Sequence, residues 1–315
     1  MKFIDVIKEY LDERKYAIKR RTFLFYKQLS DIHIALEIGK IEIHDLDQYK
    51  LNKFIIDKYE SGNKKNKNGL SYSTVKSIQG ILNRSLEFAY KRKYLNERLE
   101  IDVNIRHNSI RKVEAITKEE QYKIERYLVD KKRKYCYGIL ISLYTGMRLG
   151  ELLALKWEDI DFKNRIVSVR RNVCRVIENN KIITIEDTPK TVSSCREIPL
   201  TNFVISLLKE LRQYQNNKSL YVISKSTGKI IETRSYQESF KRLLKRLKIK
   251  HYGFHSLRHT FATRCLELGV DIKTLSELLG HSSPTVTLNR YVHSNLELKK
   301  MAMNKLSKKF NSVLI

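Results

Sequence analysis

Apolar residues recur every three to four positions through the first hundred residues, a spacing that collects them on one face of an α-helix. FIDVIKEYLDERK predicts an amphipathic helix from Phe3 to Leu11, and the same period returns in TFLFYKQLSDIHIALEI and in STVKSIQGILNRSLEFAYKRKYL. Gly39 is the expected end of the second segment, and the polar run SGNKKNKNG, Ser61 to Gly69, reads as a loop between helices. Ser71 to Thr74 supplies helix-start chemistry for the third segment. The stretch NIRHNSIRKV, Asn104 to Val113, has no clear period and is polar and basic, so it is read as a linker. Thr117 followed by Glu120 makes a capping-box signature that opens a second helical region through Lys156, interrupted by Gly146 and Gly150 near Arg148.

Between Arg165 and Leu200 the pattern changes. IVSVRRNVCRVI and IITIED are β-branched, ENNK between them is turn-like, and REIPL closes the run. These predict a small three-stranded antiparallel sheet, with Lys190 in the turn between its second and third strands. Helical spacing resumes over Asn202 to Tyr214 and Tyr236 to Leu247, and HSLRHTFATRCLEL predicts a further helix closed by Gly269. Asp271 is placed to cap DIKTLSELL, whose end at Gly280 leaves His281 just beyond a helix terminus. A short helix from about Pro284 carries Tyr291, and NLELKKMAMNKLSKKF predicts a last basic amphipathic helix. The expected fold class is mainly α with a small antiparallel β-sheet (α+β). The expected organisation is a helical domain over residues 1–106, a linker over 107–114 and a second domain over 115–315.

Charge changes this picture most. The 315 residues carry a formal net charge of +27. Residues 1–110 hold 22 basic and 15 acidic side chains and residues 111–315 hold 40 and 20, so the two parts are positive by 7 and 20. No single basic tail accounts for the excess, and a polyanion such as DNA is the expected partner. A generic basic surface, a membrane surface and the ribosome are the alternatives that charge alone leaves open. The longest apolar stretch, around Gly138 to Tyr144, is too short to span a bilayer, and the N-terminus reads as a helix rather than a signal peptide. Cys136, Cys174, Cys195 and Cys265 lack the paired spacing of zinc or redox sites, so a cytoplasmic protein with reduced thiols is expected.

Six residues in distinctive strings form a chemically coherent set: Arg148 in TGMRLGE, Lys190 in TPKTVSSCREIPL, His255 and Arg258 in HSLRH, His281 in LGHSS, and Tyr291 in TLNRY. Cleaving a phosphodiester with a side-chain nucleophile needs charge stabilisation on the non-bridging oxygens, a proton acceptor for the nucleophile and a donor for the leaving oxygen. Arginine suits the first task, because its planar fork donates two hydrogen bonds and never titrates. Arg148 also stands among apolar neighbours, where a charge needs a reason. His255 and Arg258 share a helix face, and His259 reads as a structural hydrogen-bonder. A tyrosine in an amphipathic helix is ordinarily a packing residue, and its phenol, with a pKa of about 10, needs cationic surroundings to attack at neutral pH. The acids Glu158, Asp159 and Asp161 in WEDIDF are read as caps and surface charges rather than metal ligands.

The strings TGMRLGELLALKWEDIDF, PKTVSSCREIPL, HSLRHTFAT and LLGHSSPTVTLNRY, in that order over residues 115 to 300, resemble the catalytic domain of the tyrosine recombinases, the phage integrase family. The preceding helical region resembles that family's core-type DNA-binding domain more weakly. The resemblance implies that Tyr291 attacks the scissile phosphate to give a 3′-phosphotyrosyl link and a free 5′-hydroxyl. It implies that Arg148 and Arg258 clamp the phosphate with His281, that Lys190 is general acid, and that His255 accepts the tyrosine's proton. Glu151, three after Arg148, matches a supporting acid, while Arg196 falls at a family arginine whose role is open. Neither cofactor nor metal is implied, because the tyrosyl ester keeps the phosphodiester energy. The implied partner is double-stranded DNA with core-type sites, bound by a homo-tetramer whose C-terminal helix passes to a neighbouring protomer, with an accessory directionality factor as a further partner. The chain starts almost directly with the core-type domain, as in dimer-resolution enzymes and some mobile-element integrases. Integration and excision of a mobile element is the expected role. Xer-like dimer resolution, a type IB topoisomerase and a DNA-binding regulator with an idle site are the alternatives.

Overall fold

The structure, a computed structural model, describes residues 1–63, 68–106, 114–131, 134–178, 181–187, 195–215 and 219–291, with positions 303, 304 and 307; at 134 and 289–291 it describes backbone alone. The chain divides into two compact units, Met1–Arg111 with Val176–Ile183, and Lys112–Arg175 with Thr184–Ile315.

In the first unit, α1 (Phe3–Arg14) buries Phe3, Val6, Ile7, Tyr10 and Leu11, the stripe that its spacing predicts. α2 (Arg20–Leu29) does not run on to Gly39; it loosens into a π-helical turn over Ser30–Ile34 and a 3₁₀ turn over Ile38–Lys40. α3 (Gln48–Ser61), a helix that the sequence pattern had not singled out, starts at Asp47, whose carboxylate accepts from the Lys50 amide at 2.7 Å. α4 (Tyr72–Lys91) starts where expected, with the Ser71 hydroxyl accepting from the Thr74 amide at 3.2 Å. Phe3, Ile7, Leu51, Ile55, Ile78 and Leu82 meet in one apolar core.

The second unit opens as the capping box predicts. The Glu120 amide donates to the Thr117 hydroxyl at 3.2 Å and the Thr117 amide to the Glu120 carboxylate at 3.3 Å. α5 (Lys118–Lys131), α6 (Lys134–Thr145) and α7 (Leu149–Ala154) follow. Gly146 ends α6, whereas Gly150 lies inside α7 and interrupts nothing.

The predicted sheet is replaced by a three-stranded sheet with different strands and a separate two-stranded ribbon. β1 (Ile160–Asp161), β2 (Ile166–Val169) and a later strand form one antiparallel sheet, and β3 (Asn172–Glu178) pairs with β4 (Lys181–Asp187) in a separate ribbon. IVSVRRNVCRVI is therefore two strands, because Arg171 leaves the ladder to pair with Glu158 and Asp159 at 2.9 and 2.6 Å. The later strand, β5 (Arg196–Pro199), pairs with β2, Val167 opposite Ile198, and not with IITIED. Lys190 lies between β4 and β5 and outside the described residues, as do the 107–113 part of the expected linker and most of the C-terminal segment.

α8 (Asn202–Tyr214), α9 (Thr233–Arg246), α10 (His255–Glu267), α11 (Ile272–Leu279) and α12 (Pro284–Tyr291) complete the unit. Its core runs from Ile124 and Leu140 through Leu152, Val167 and Leu208 to Phe240 and Leu257. The fold is mainly α with small antiparallel sheets. No helix among the described residues is long and apolar enough to cross a membrane.

Candidate active site

The site is organised around the C-terminal end of α11. Asp271 caps its start, its carboxylate accepting from the Thr274 amide at 2.9 Å, and Leu275 and Leu279 anchor one face. Gly280 then takes a left-handed conformation, φ 64° and ψ 50°, which a side chain would strain. The His281 amide turns back to the Ser276 carbonyl at 3.1 Å. A helix end exposes carbonyls with no partner inside the helix, and their dipoles favour cations.

Three arginines from three elements meet those carbonyls. Arg196 on β5 donates through Nε to Leu278 O at 2.6 Å. Arg258 on α10 donates through Nη2 to Leu279 O at 2.5 Å, and Arg148 reaches Gly280 O through Nη2 at a long 3.5 Å. Arg258 is buried, 1 % exposed, and its Nη1 also donates to Gly146 O at 2.9 Å. That carbonyl is available because Gly146 turns the chain with φ 67°, so the turn carrying Arg148 is tied to α10.

Arg148 caps the start of α7 in an extended conformation, so it and Glu151 do not share a helical face. Its amide and its Nη1 donate to the Glu151 carboxylate at 2.9 and 2.7 Å, and Arg196 Nη2 donates to the same group at 2.9 Å. Burial pushes the Glu151 pKa up, but Arg196 first, then Arg148 and Arg258, outweigh it and hold the carboxyl at about 2. Glu151 therefore stays charged, and it fixes one edge of Arg148 while about a third of that side chain remains open to solvent.

His281 Nε2 lies 3.0 Å from Arg258 Nη2, and its Nδ1 lies 2.8 Å from the Thr287 hydroxyl on α12. A guanidinium can only donate, so Nε2 accepts and the neutral ring carries its proton on Nδ1. Tyr291 closes α12 four positions after Thr287, and its side chain is outside the described set. His255 opens α10 one turn before Arg258, exposed, its ring edge-on to His259 at 5.0 Å between centroids. Phe254 seats that helix start between the rings of Tyr236 and Phe240, at 5.7 and 5.5 Å.

Of the six predicted residues, the structure thus brings Arg148, Arg258 and His281 together and places His255 and the backbone of Tyr291 on the adjoining helices. Sequence reasoning left Arg196 without a role, and the structure puts its guanidinium between Glu151 and α11. The acids of WEDIDF serve as caps and ion pairs: Asp159 accepts from the Lys156 amide at 2.9 Å, and Asp161 accepts from the Lys163 and Asn164 amides, both at 2.9 Å.

Residues 104–297 match the family profile described as "Phage integrase family". A protein of Caldanaerobacter subterraneus described as "Tyrosine recombinase XerC-like" is 31% identical over 93% of this chain and 79% of its own length. The transposase of transposon Tn916 from Enterococcus faecalis is 26% identical over 92% of this chain and 74% of its own. Among solved structures, the Tn1549 transposon integrase in complex with a circular intermediate DNA superposes with a TM-score of 0.78 at 23% identity, covering 97% of this chain and 99% of that one.

Proposed function

Since the chain belongs to the phage integrase family, the tyrosine recombinases that cleave and rejoin DNA, we propose that it recombines the ends of a mobile element through a 3′-phosphotyrosyl intermediate on Tyr291. The observation that carries this reading is the convergence of Arg148, Arg258 and His281 at the end of α11, with His281 hydrogen-bonded to the helix that bears Tyr291. Two guanidiniums and an imidazole side by side match the charge that builds on the non-bridging oxygens as phosphorus becomes five-coordinate. Donors fixed before the reaction contribute roughly 3–4 kcal/mol each.

In the first step the Tyr291 oxygen bonds to phosphorus and the bond to the 5′-oxygen breaks. His255 receives the phenol proton, and Lys190 donates one to the departing oxygen. His281, beside Arg258, supplies a further hydrogen bond to the same phosphate. In the second step a 5′-hydroxyl of the partner strand attacks the tyrosyl ester and frees Tyr291. No external energy source enters, since one phosphoester replaces another throughout.

The helical unit grips the duplex as a core-type DNA-binding domain, and four protomers assemble on two sites in the cytoplasm, an accessory factor setting direction. Support for the mobile-element role comes from the likeness to transposon transposases and to an integrase of ICEBs1 over more than nine-tenths of the chain. The 31% identity to the XerC-like protein favours one second reading, resolution of chromosome or plasmid dimers.

The test uses supercoiled plasmid carrying the DNA that flanks the gene, in EDTA, with wild type and Tyr291→Phe. A site-dependent, SDS-resistant adduct made by wild type and absent from Tyr291→Phe is the expected result. Adduct and relaxation on any DNA would replace the recombinase with a topoisomerase, and tight binding without adduct would leave a regulator. Recombination only of directly repeated chromosomal sites, with none at element ends, would select dimer resolution.

A further inference from the structure

The guanidinium of Arg196 is buried, and it touches both halves of the candidate clamp. Its side chain is 5% exposed, Nη2 lies 2.9 Å from Glu151 Oε2, and Nε lies 2.6 Å from the Leu278 carbonyl. Glu151 in turn takes Arg148 by its amide and by Nη1, and the carbonyl after Leu278 takes Arg258. The partners of Arg196 are distant in sequence, α7 on one side and α11 on the other, and β5 brings it between them.

We propose that Arg196 is a positioning residue for strand cleavage, joining the Glu151 carboxylate to the last turn of α11 so that Arg148 is held in register with Arg258 and His281. This rests on the reading of Arg148 and Arg258 as the phosphate clamp. A planar fork is required because the two partners lie in different directions, and an ammonium group on a flexible stem cannot hold both in one geometry. A structural ion pair deep in the fold would also bury an arginine. What distinguishes Arg196 is that its carboxylate partner is the same group that orients Arg148.

The geometry has a consequence that simple packing lacks. Among the described residues, the charged groups facing Glu151 are Arg196 from β5, Arg148 from the turn before α7 and Arg258 from α10, with His281 against Arg258. Arg196 is the foremost of the cations that keep this carboxyl ionised, and burial works the other way. Without Arg196 the carboxyl takes up a proton more readily, and a protonated Glu151 holds Arg148 poorly. Removing Arg196 should therefore make cleavage sensitive to acid through Glu151.

The experiment is single-turnover cleavage of a nicked suicide substrate between pH 5 and 8, with wild type, Arg196→Met, Arg196→Lys, Glu151→Gln and the double variant Arg196→Met with Glu151→Gln. Arg196→Met should cleave roughly 10–100-fold more slowly at neutral pH, the scale of displaced supporting groups, while its affinity for DNA holds. It should lose further rate as pH falls, and adding Glu151→Gln should abolish that acid-dependent loss. Every other group of the site is common to all the variants, so the difference from wild type is what is read. Arg196→Lys restores the cation without the fork and should regain the wild-type pH dependence but not the full rate. Full wild-type rate for Arg196→Lys, or equal losses for the Lys and Met variants with a wild-type pH profile, would overturn the proposal. Should Arg196→Met fail to fold, Arg196→Lys still decides it by the same criterion. A wild-type enzyme that forms no adduct would sink the phosphotyrosyl reading itself, whereas normal wild-type adduct with unaltered Arg196 variants would sink only this inference.

Discussion

Glu151 sets the electrostatics of the site at the scale of a single residue. Its carboxyl is held at about 2 against an ordinary value of 4.5, so its folded pKa is depressed. A depressed acid contributes stability above the unfolded pKa and loses it as pH falls through the folded one. The window here is pH 4.5 down to 2, and a shift of that size corresponds to a contribution on the order of 3 kcal/mol. Glu151→Gln should accordingly unfold more easily than wild type at neutral pH, and thermal melts should show the gap closing as pH drops through that window. A gap that stays constant with pH would mean the carboxylate is not ionised against the arginines. The residue types in this cluster were legible from the chain, because Arg148, Arg258 and His281 each sit in a string with few other uses. Their mutual arrangement was not: Arg196 meets Glu151 across 45 positions and Leu278 across 82, contacts that no local pattern encodes.

Among the elements, two backbone turns hold the arginine cluster, and both depend on positive φ. An alanine at Gly280 would be forced into the left-handed region, costing roughly 1–2 kcal/mol, and it would turn His281 away from Arg258. Gly146→Ala meets the same penalty and in addition brings its Cβ to 2.5 Å from the Phe261 ring, so it should cost about 2–4 kcal/mol in all. Urea melts of both variants check the stability, and suicide-substrate cleavage checks the site, where each should be slower than its folded fraction explains. The helices were mostly readable because caps and spacing are local: Ser71, Thr117 and Asp271 all cap as their positions predict. The sheets were not, because strand pairing is decided at a distance. β2 chooses β5 across the whole ribbon, and the break at Arg170 and Arg171 follows from acids a dozen residues back. α2 was overextended for a related reason: an apolar period of three to four cannot tell an α-helix from the π and 3₁₀ turns that continue it.

For the whole molecule, charge governs the encounter with DNA. With +27 spread over both parts of the chain, binding should weaken at least roughly 10³-fold between about 50 and 200 mM salt as phosphate counterions are released. Fluorescence anisotropy on a short duplex at several salt concentrations measures the slope, and a flat line would contradict a DNA-facing basic surface. The same titration on an unrelated duplex should give a similar slope, since phosphate contacts fix register and carry no sequence information.

That the last turn of α11 offers its carbonyls to Arg148 and Arg258 has a bearing on fidelity. On the proposed reading, contacts within the fold already fix the two guanidiniums, so a phosphate meets donors that are in place. A wrong sequence is met by the same finished clamp as a right one. On that reading the clamp holds any phosphate alike, and the choice of where to cut falls to steps outside it: the reading of base edges and the delivery of the nucleophile.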